Sequence, residues 1–196
     1  MASDDSLQAP VLLVAMPQIL DGFFHRSVVL LVHHDGEGSL GFIVNRPTAI
    51  QVAEILEGME IGWEGAADAV AHFGGPVQPQ LGTVVFTPRD GTAAALPESQ
   101  AEICPGLRLT QHVGDLEQLA ASPPRDFRLL LGYAGWGAGQ LLEEILRNDW
   151  ITAPVEGQLV FGADAEGVWS EALRSVGIDP ATLPNWSAPG GEESAN

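Results

Sequence analysis

The chain has 196 residues, enough for one domain with a substantial core and no need of a disulfide or metal staple. Hydrophobic residues make up 45% and charged ones 17%, the balance of a folded chain rather than a disordered one. Its 26 acids face eight basic residues, all arginine, for a formal net charge of −18; lacking lysine, it cannot use P-loop nucleotide binding, Schiff-base chemistry or pyridoxal phosphate attachment, and the acid surplus opposes nucleic acid and anionic membranes.

Residues 1 to 9 are polar, with acids where a signal peptide would be basic, so a flexible N-terminus and a cytoplasmic protein are expected. No apolar run approaches the ~20 residues of a membrane span, so no membrane association is expected. VLLVA (11 to 15) reads as a strand, and Asp21-Gly22 as a turn. SVVLLVHH (27 to 34) and LGFIVN (40 to 45) read as a hairpin joined by DGEGS. Both faces of these strands are apolar, which implies a central sheet covered on both sides. A symmetric closure of the hairpin sets His34 opposite Leu40 and Val28 opposite Arg46, with Arg26 diagonal to Arg46. Two guanidinium groups would then converge on a shared anion, either a carboxylate of the protein or a small ligand. Asn45, beside Arg46, joins these two as a candidate ligand-binding residue.

From Val52 the apolar residues Val52, Ile55, Leu56 and Met59 recur at helical spacing, with Glu54, Glu57, Glu60 and Glu64 on the other side. HFGGPVQ (72 to 78) reads as a turn; TVVF (83 to 86), LRLT (107 to 110), FRLLLGY (127 to 133) and QLVF (158 to 161) read as strands. A last helix begins with Asp164 as N-cap, buries Val168, Trp169, Ala172 and Leu173, and stops at Gly177 with Ile178 folded back. The segment 187 to 196 is polar and rich in small residues, a second flexible end, leaving 10 to 186 as a single mixed α/β domain.

GYAGWGAGQLLEEI (132 to 145) puts four glycines between an apolar run and a helix. No phase of it matches a dinucleotide fingerprint, since the third glycine falls on Gln140 or Leu142. Glu143 and Glu144 would repel phosphate and instead suit the first turn of a helix, where Glu143 can pair with Arg147. Gly135, Gly137 and Gly139 thus serve a close strand-to-helix joint around Trp136, with backbone amides that meet a ligand as the competing role. If HFGGPVQ borders this joint, Phe73, Tyr133 and Trp136 line an aromatic cleft.

The five histidines, at 25, 33, 34, 72 and 112, show no HExxH or HxH spacing, and His33 and His34 point to opposite faces of a strand, so no metal is expected. A single cysteine, Cys104, excludes an intramolecular disulfide, and neither it nor Ser27 or Ser39 sits in a nucleophile motif. No cofactor and no catalytic residue is expected.

Four ordered blocks, AMPQILDGFFHRSVVLLVHHDGEGSLGFIVNRP (15 to 47), HFGGPVQ (72 to 78), GYAGWGAGQLLEEILRNDW (132 to 150) and WSEALRSVGIDPATL (169 to 183), resemble the YqgE/AlgH family over residues 10 to 185. This chain has Asp21-Gly22 where the family often has Asp-Pro. The resemblance implies a bacterial cytosolic protein with a mixed α/β fold, in which a bifurcated, largely antiparallel sheet curls into a pseudo-barrel flanked by helices. It also implies a regulator by family name, after a proposed role in alginate synthesis, and brings no catalytic residues with it. The functional expectation is a non-enzymatic binding or regulatory protein acting on a protein partner or small anionic ligand near Arg26, Arg46 and the Gly135 to Gly139 joint. The rival is an enzyme of unknown reaction with an arginine-lined anion pocket.

Overall fold

The computed structural model describes residues 7–89 and 97–184. Its strands are β1 (Val11–Ala15), β2 (Val28–Asp35), β3 (Gly38–Ile43), β4 (Pro47–Gln51), β5 (Val70–Phe73), β6 (Val77–Phe86), β7 (Gln100–Cys104), β8 (Leu107–Thr110), β9 (Phe127–Gly137) and β10 (Trp150–Ala153). Its helices are α1 (Val52–Glu57), α2 (Val113–Ala121), α3 (Gln140–Leu146), α4 (Gly157–Phe161) and α5 (Ala165–Ser175). The strands follow the order β10-β1-β2-β3-β9-β6-β8-β7, and β5 joins β4 to β9. Every pairing is antiparallel except that of β5 with β9. The result is a bifurcated sheet curled into a half-barrel and flanked by helices.

The two-faced apolar strands explain the layering. Along β1, Leu12 and Val14 face a core completed by Trp169, Ala172 and Leu173 of α5. Leu13 and Ala15 face the opposite core, which contains Trp136, Leu141 and Trp150. Alternation with period two therefore feeds two separate cores, and every one of these strand positions is buried. A third core lies under α1 and α2 on the wing made by β6 and the first half of β9. Among the described residues no helix is long and apolar enough to cross a membrane.

The sheet forks along β9. Its C-terminal part, Ala134 to Gly137, pairs with β3, whereas Leu130 and Leu131 lie between β5 and β6. At the fork the HFGGPVQ turn lies backbone against backbone on β9: a Cβ at Gly74 would overlap the Gly132 carbonyl, and one at Gly75 would overlap the Tyr133 backbone. Gly132 itself sits at φ +73, in the region that favours glycine. The close approach expected of the glycine joint thus occurs at Gly132. A Cβ at Gly135 or Gly137 would meet its neighbours only at ordinary contact distance, 3.5 Å or more, and Gly139, at φ +75, turns the chain into α3.

Other expectations are revised. The hairpin of β2 and β3 closes on Asp35 and Gly38, with His33 opposite Leu40 and Leu30 opposite Phe42. Asp35 Oδ1 accepts hydrogen bonds from the Glu37 and Gly38 amides, which tightens the turn to Gly36-Glu37, and an irregularity between Leu31 and His33 resets the register. Val28 therefore meets Val44, whose amide donates to the Val28 carbonyl, and Arg46 falls beyond the hairpin. QLVF forms α4 rather than a strand, because Leu159 and Val160 are buried together on a helical turn; so short an apolar run carries no periodicity that separates the two states. On α3 the apolar stripe narrows to buried Leu141 and half-buried Ile145, leaving Leu142 and Leu146 exposed and Trp150 on β10. The last helix follows the spacing: α5 buries the four expected residues, and the Ile178 amide donates to the Leu173 carbonyl. Of the ends read as flexible, residues 1–6 and 187–196 lie outside the described residues, while Leu7 and Ala9 pack on the Trp136 core.

Candidate functional site

β9 runs through the glycine-rich stretch as an extended strand, so Ala134 and Trp136 point to one face and Tyr133 to the other. Trp136 thereby meets Trp150, which β10 sets against Ala15 of β1. The two indoles stand edge to face, 5.9 Å apart at 83°, and Phe24 contacts both rings, at 6.2 and 5.6 Å. Burying two indoles requires acceptors for their N–H groups, and one carboxylate serves both. Glu144 Oε2 accepts from Trp136 Nε1 at 2.9 Å and from Trp150 Nε1 at 2.8 Å. Gln140, one turn earlier on α3, donates to Glu144 Oε1 at 2.9 Å and accepts from the Gly137 amide at 3.1 Å. A carboxylate has about four lone-pair positions, so three donors leave one open on Oε1.

The rim is the loop from Met16 to Arg26. Asp21 Oδ1 accepts from the amides of Phe23 and Phe24, each at 2.9 Å, and His25 Nδ1 donates to the Ile19 carbonyl at 2.9 Å. Arg46 holds the far side of this loop, donating from Nη2 to the carbonyls of His25 at 2.7 Å and Phe23 at 3.2 Å. Just past α3 the chain turns at Asn148, whose φ of +60 suits asparagine, and the Asp149 amide closes back on the Glu144 carbonyl. Between loop and helix opens a cavity of about 400 Å³, lined among others by Gln18, Asp21, Phe24, Gly135, Trp136 and Glu144.

The charges lining this cavity are mostly negative: Asp21, Glu144 and Asp149 against Arg147. Arg147 spends its guanidinium on Asp149, with Nε and Nη2 at 3.0 and 2.9 Å from Oδ2, rather than on Glu143. Asp21 and Glu144 meet only neutral donors. An anion would face two carboxylates, whereas an ammonium or guanidinium group would find acceptors and indole faces.

The structure separates the other residues singled out in the sequence. Arg26, at φ +51, extends toward α5, where Nη1 lies 2.9 Å from Glu166 Oε2 and the guanidinium lies 5.1 Å from the centre of the Trp169 ring. Asn45 is buried and structural: Oδ1 accepts from the Val28 amide at 2.7 Å, and Nδ2 donates to the carbonyls of Arg26 and Ala165 at 3.0 Å. Arg26 and Arg46 thus reach in different directions and form no shared anion site. Phe73 stacks on exposed Phe23 at 5.7 Å, and Tyr133 packs into the α5-side core, so these two rings and Trp136 make no common cleft. Gly135 and Trp136 line the cavity; Gly137 is tied to it only through its amide's hydrogen bond to the lining Gln140, and Gly139 is not among the lining residues. Among the described residues no group of three or more histidines, cysteines or acids is placed to hold a metal ion.

Comparison with known proteins agrees with this architecture. The AlgH-like family profile matches residues 12–181. The chain belongs to the AlgH-like (YqgE/AlgH) family. It is 40% identical over 180 residues to a UPF0301 protein of Anaeromyxobacter sp. (strain K), covering 88% of this chain and 90% of that one. A UPF0301 protein of Myxococcus xanthus is 38% identical over 176 residues, covering 89% and 94%. Among solved structures, the AlgH protein of Pseudomonas aeruginosa superposes with a TM-score of 0.71 at 30% identity, covering 89% of this chain and 93% of that one. A crystal structure of a protein from Corynebacterium diphtheriae gives 0.72 at 25%, covering 86% and 87%.

This AlgH-like chain also buries a cation, Arg128, that no motif singles out. Arg128 of β9 donates from Nη1 to the carbonyls of Val44 and Val160, the latter at 2.6 Å, and from Nη2 to Gly162 at 2.9 Å. It thus ties the residue that follows β3 to the C-terminal end of α4, where the helix dipole favours positive charge. Burial lowers its pKa to about 10. His72 of β5 is buried nearby, and burial, followed by the field of Arg128, lowers its pKa to about 4. Both groups lie in the framework, away from the Glu144 cavity.

Proposed function

We propose that this protein is a non-enzymatic binding or regulatory protein of the cytoplasm, and that its Trp136–Glu144 cavity receives a positively charged, N–H-bearing group of a protein partner. The observation that carries this reading is the Glu144 carboxylate, fixed by three neutral donors in a cavity whose lining arginine, Arg147, is paired with Asp149. Hydrogen bonds from a cation to a carboxylate are roughly twice as strong as neutral ones, and the indole faces add a cation–π contribution of about 0.5–2 kcal/mol. The small anionic ligand expected from the two arginines loses its support, because Arg26 and Arg46 share no pocket. The enzymatic reading, which rested on that pocket, loses it too. Direct DNA binding is opposed by the net charge of −18.

The test is a tryptophan-fluorescence titration with a short lysine-rich peptide. Saturable binding is expected, weakened at least tenfold by Glu144→Gln and unchanged by Glu171→Gln, a control on α5. Equal affinity in wild type and Glu144→Gln refutes the assignment of the cavity.

A further inference from the structure

The acceptors left open around the Glu144 cavity discriminate between kinds of cation, an inference that rests on the cation-binding role of that cavity. Glu144 Oε2 is committed to two indole N–H groups, and Oε1 takes only the Gln140 amide. Asp21 Oδ1 is committed to the Phe23 and Phe24 amides, and among the described residues nothing donates to Oδ2. Arg147 places both of its bonding nitrogens on Asp149 Oδ2, so the rim's own guanidinium serves neither Glu144 nor Asp21. Two carboxylates with unused lone pairs therefore line one cavity from different elements, Asp21 from the loop and Glu144 from α3.

An ammonium directs its donors from one nitrogen, so every carboxylate it serves must come within about 2.7–2.9 Å of that atom. A guanidinium spreads five N–H groups around the edge of a rigid plane and can satisfy carboxylates on opposite edges at once. It is also more weakly hydrated, which lowers the cost of entering a cavity walled in part by Ile19, Leu20 and Phe24. The aromatic rings exclude a methylated ammonium. Phe24, Trp136 and Trp150 pack directly on one another, with centroids 5.6 to 6.2 Å apart, and enclose no hollow in which such a group could be caged. We infer that the cavity is an arginine site: it selects an unmodified arginine side chain of the protein partner over lysine, with the guanidinium bridging Glu144 Oε1 and Asp21 Oδ2.

The test holds charge constant and varies the donors. The probes are three peptides of one sequence and one net charge, carrying lysine, arginine or asymmetric dimethylarginine at the same positions, titrated against the full chain by tryptophan fluorescence. Equal charge makes the general attraction of a chain of net charge −18 common to all three, and methylation keeps the charge of arginine while blocking its paired hydrogen bonds. The arginine peptide is expected to bind about tenfold tighter than the lysine peptide, and dimethylation to remove that advantage. Asp21→Asn keeps an oxygen for the Phe23 and Phe24 amides but removes the second anchor, so the preference for arginine should fall to about threefold or less. Glu144→Gln should weaken both the arginine and the lysine peptide. Equal affinity of the arginine and lysine peptides, or of the arginine and dimethylarginine peptides, with Glu144→Gln still weakening them, overturns the guanidinium assignment and leaves the cation site standing. Binding that Glu144→Gln does not weaken overturns both. Should Asp21→Asn lower the melting temperature, the comparison of the three peptides on the wild-type chain decides alone.

Discussion

His72 makes the fold acid-sensitive in a window that can be worked out from its surroundings. In the folded chain its pKa falls from 6.5 to about 4, first because burial penalises the imidazolium and second because Arg128 is close. In the unfolded chain it titrates near the ordinary value of about 6.5. Between those limits the unfolded state holds the proton and the folded state does not, so stability rises with pH there and falls on acidification. The contribution is fully present above pH 6.5, is lost progressively as pH falls to about 4, and changes no further below that. At 1.36 kcal/mol per pKa unit the total loss is about 3 kcal/mol. Carboxylates also titrate in the lower part of this window, so the measurement is the difference between wild type and His72→Gln in urea unfolding at pH 7, 6, 5 and 4. The advantage of wild type over the variant should shrink by about 3 kcal/mol from pH 7 to pH 4. A difference that stays constant, or grows on acidification, refutes the account. Because burial is the larger cause, most of the effect should persist in Arg128→Met.

Arg128→Met itself removes the cation from three carbonyls. Each orphaned buried acceptor costs about 1–3 kcal/mol, and relief of the desolvation that holds Arg128 at a pKa of about 10 returns about 3 kcal/mol; net destabilisation of about 3 kcal/mol, the middle of a range of about 0–6, is expected in urea unfolding. Glu144→Leu leaves two buried indole N–H groups without their acceptor and should cost about 2–5 kcal/mol, with a shift in the tryptophan emission maximum. Gly75→Ala forces a Cβ into the Tyr133 backbone and should cost about 3 kcal/mol or more, whereas Gly135→Ala, with nothing nearer than 3.5 Å, should change the melting temperature little.

Legibility in the sequence followed the range of the interactions. The central strands could be read because each residue of VLLVA and of VVLLV packs into a core on its own face, and α5 because its apolar residues and its Gly177 stop are close in sequence. The hairpin register could not, since it hinges on two hydrogen bonds from the Glu37 and Gly38 amides to one oxygen of Asp35. Moving that turn carried Arg46 out of the hairpin and removed the paired-arginine site. Arg128 was invisible for a different reason: in FRLLL an arginine reads as a solvated interruption, and its acceptors lie 84, 32 and 34 residues away. Glu144 carried a readable charge but no sign of its partners, because its link to two tryptophans depends on where α3 lands beside β9 and β10.

The glycines join the fork of the sheet to the Glu144 cavity. A strand that forks must pass from one set of neighbours to another, and where the two branches separate, their backbones come too close for side chains. Gly74, Gly75 and Gly132 occupy that crossing, so β9 can leave the β5/β6 wing and carry Trp136 out toward β3. Once there, the indole is buried against Trp150 and needs an acceptor, which α3 supplies through Glu144 only because Gly139 reverses the chain at once. The cavity beside Glu144 therefore follows from the fork: residues that bear no side chain fix where the two tryptophans meet, and the tryptophans in turn fix the carboxylate. It follows that Gly132→Ala, remote from the cavity lining, should weaken lysine-rich peptide binding in whatever fraction of the protein remains folded, whereas Gly137→Ala, next to the lining residue Trp136, should not.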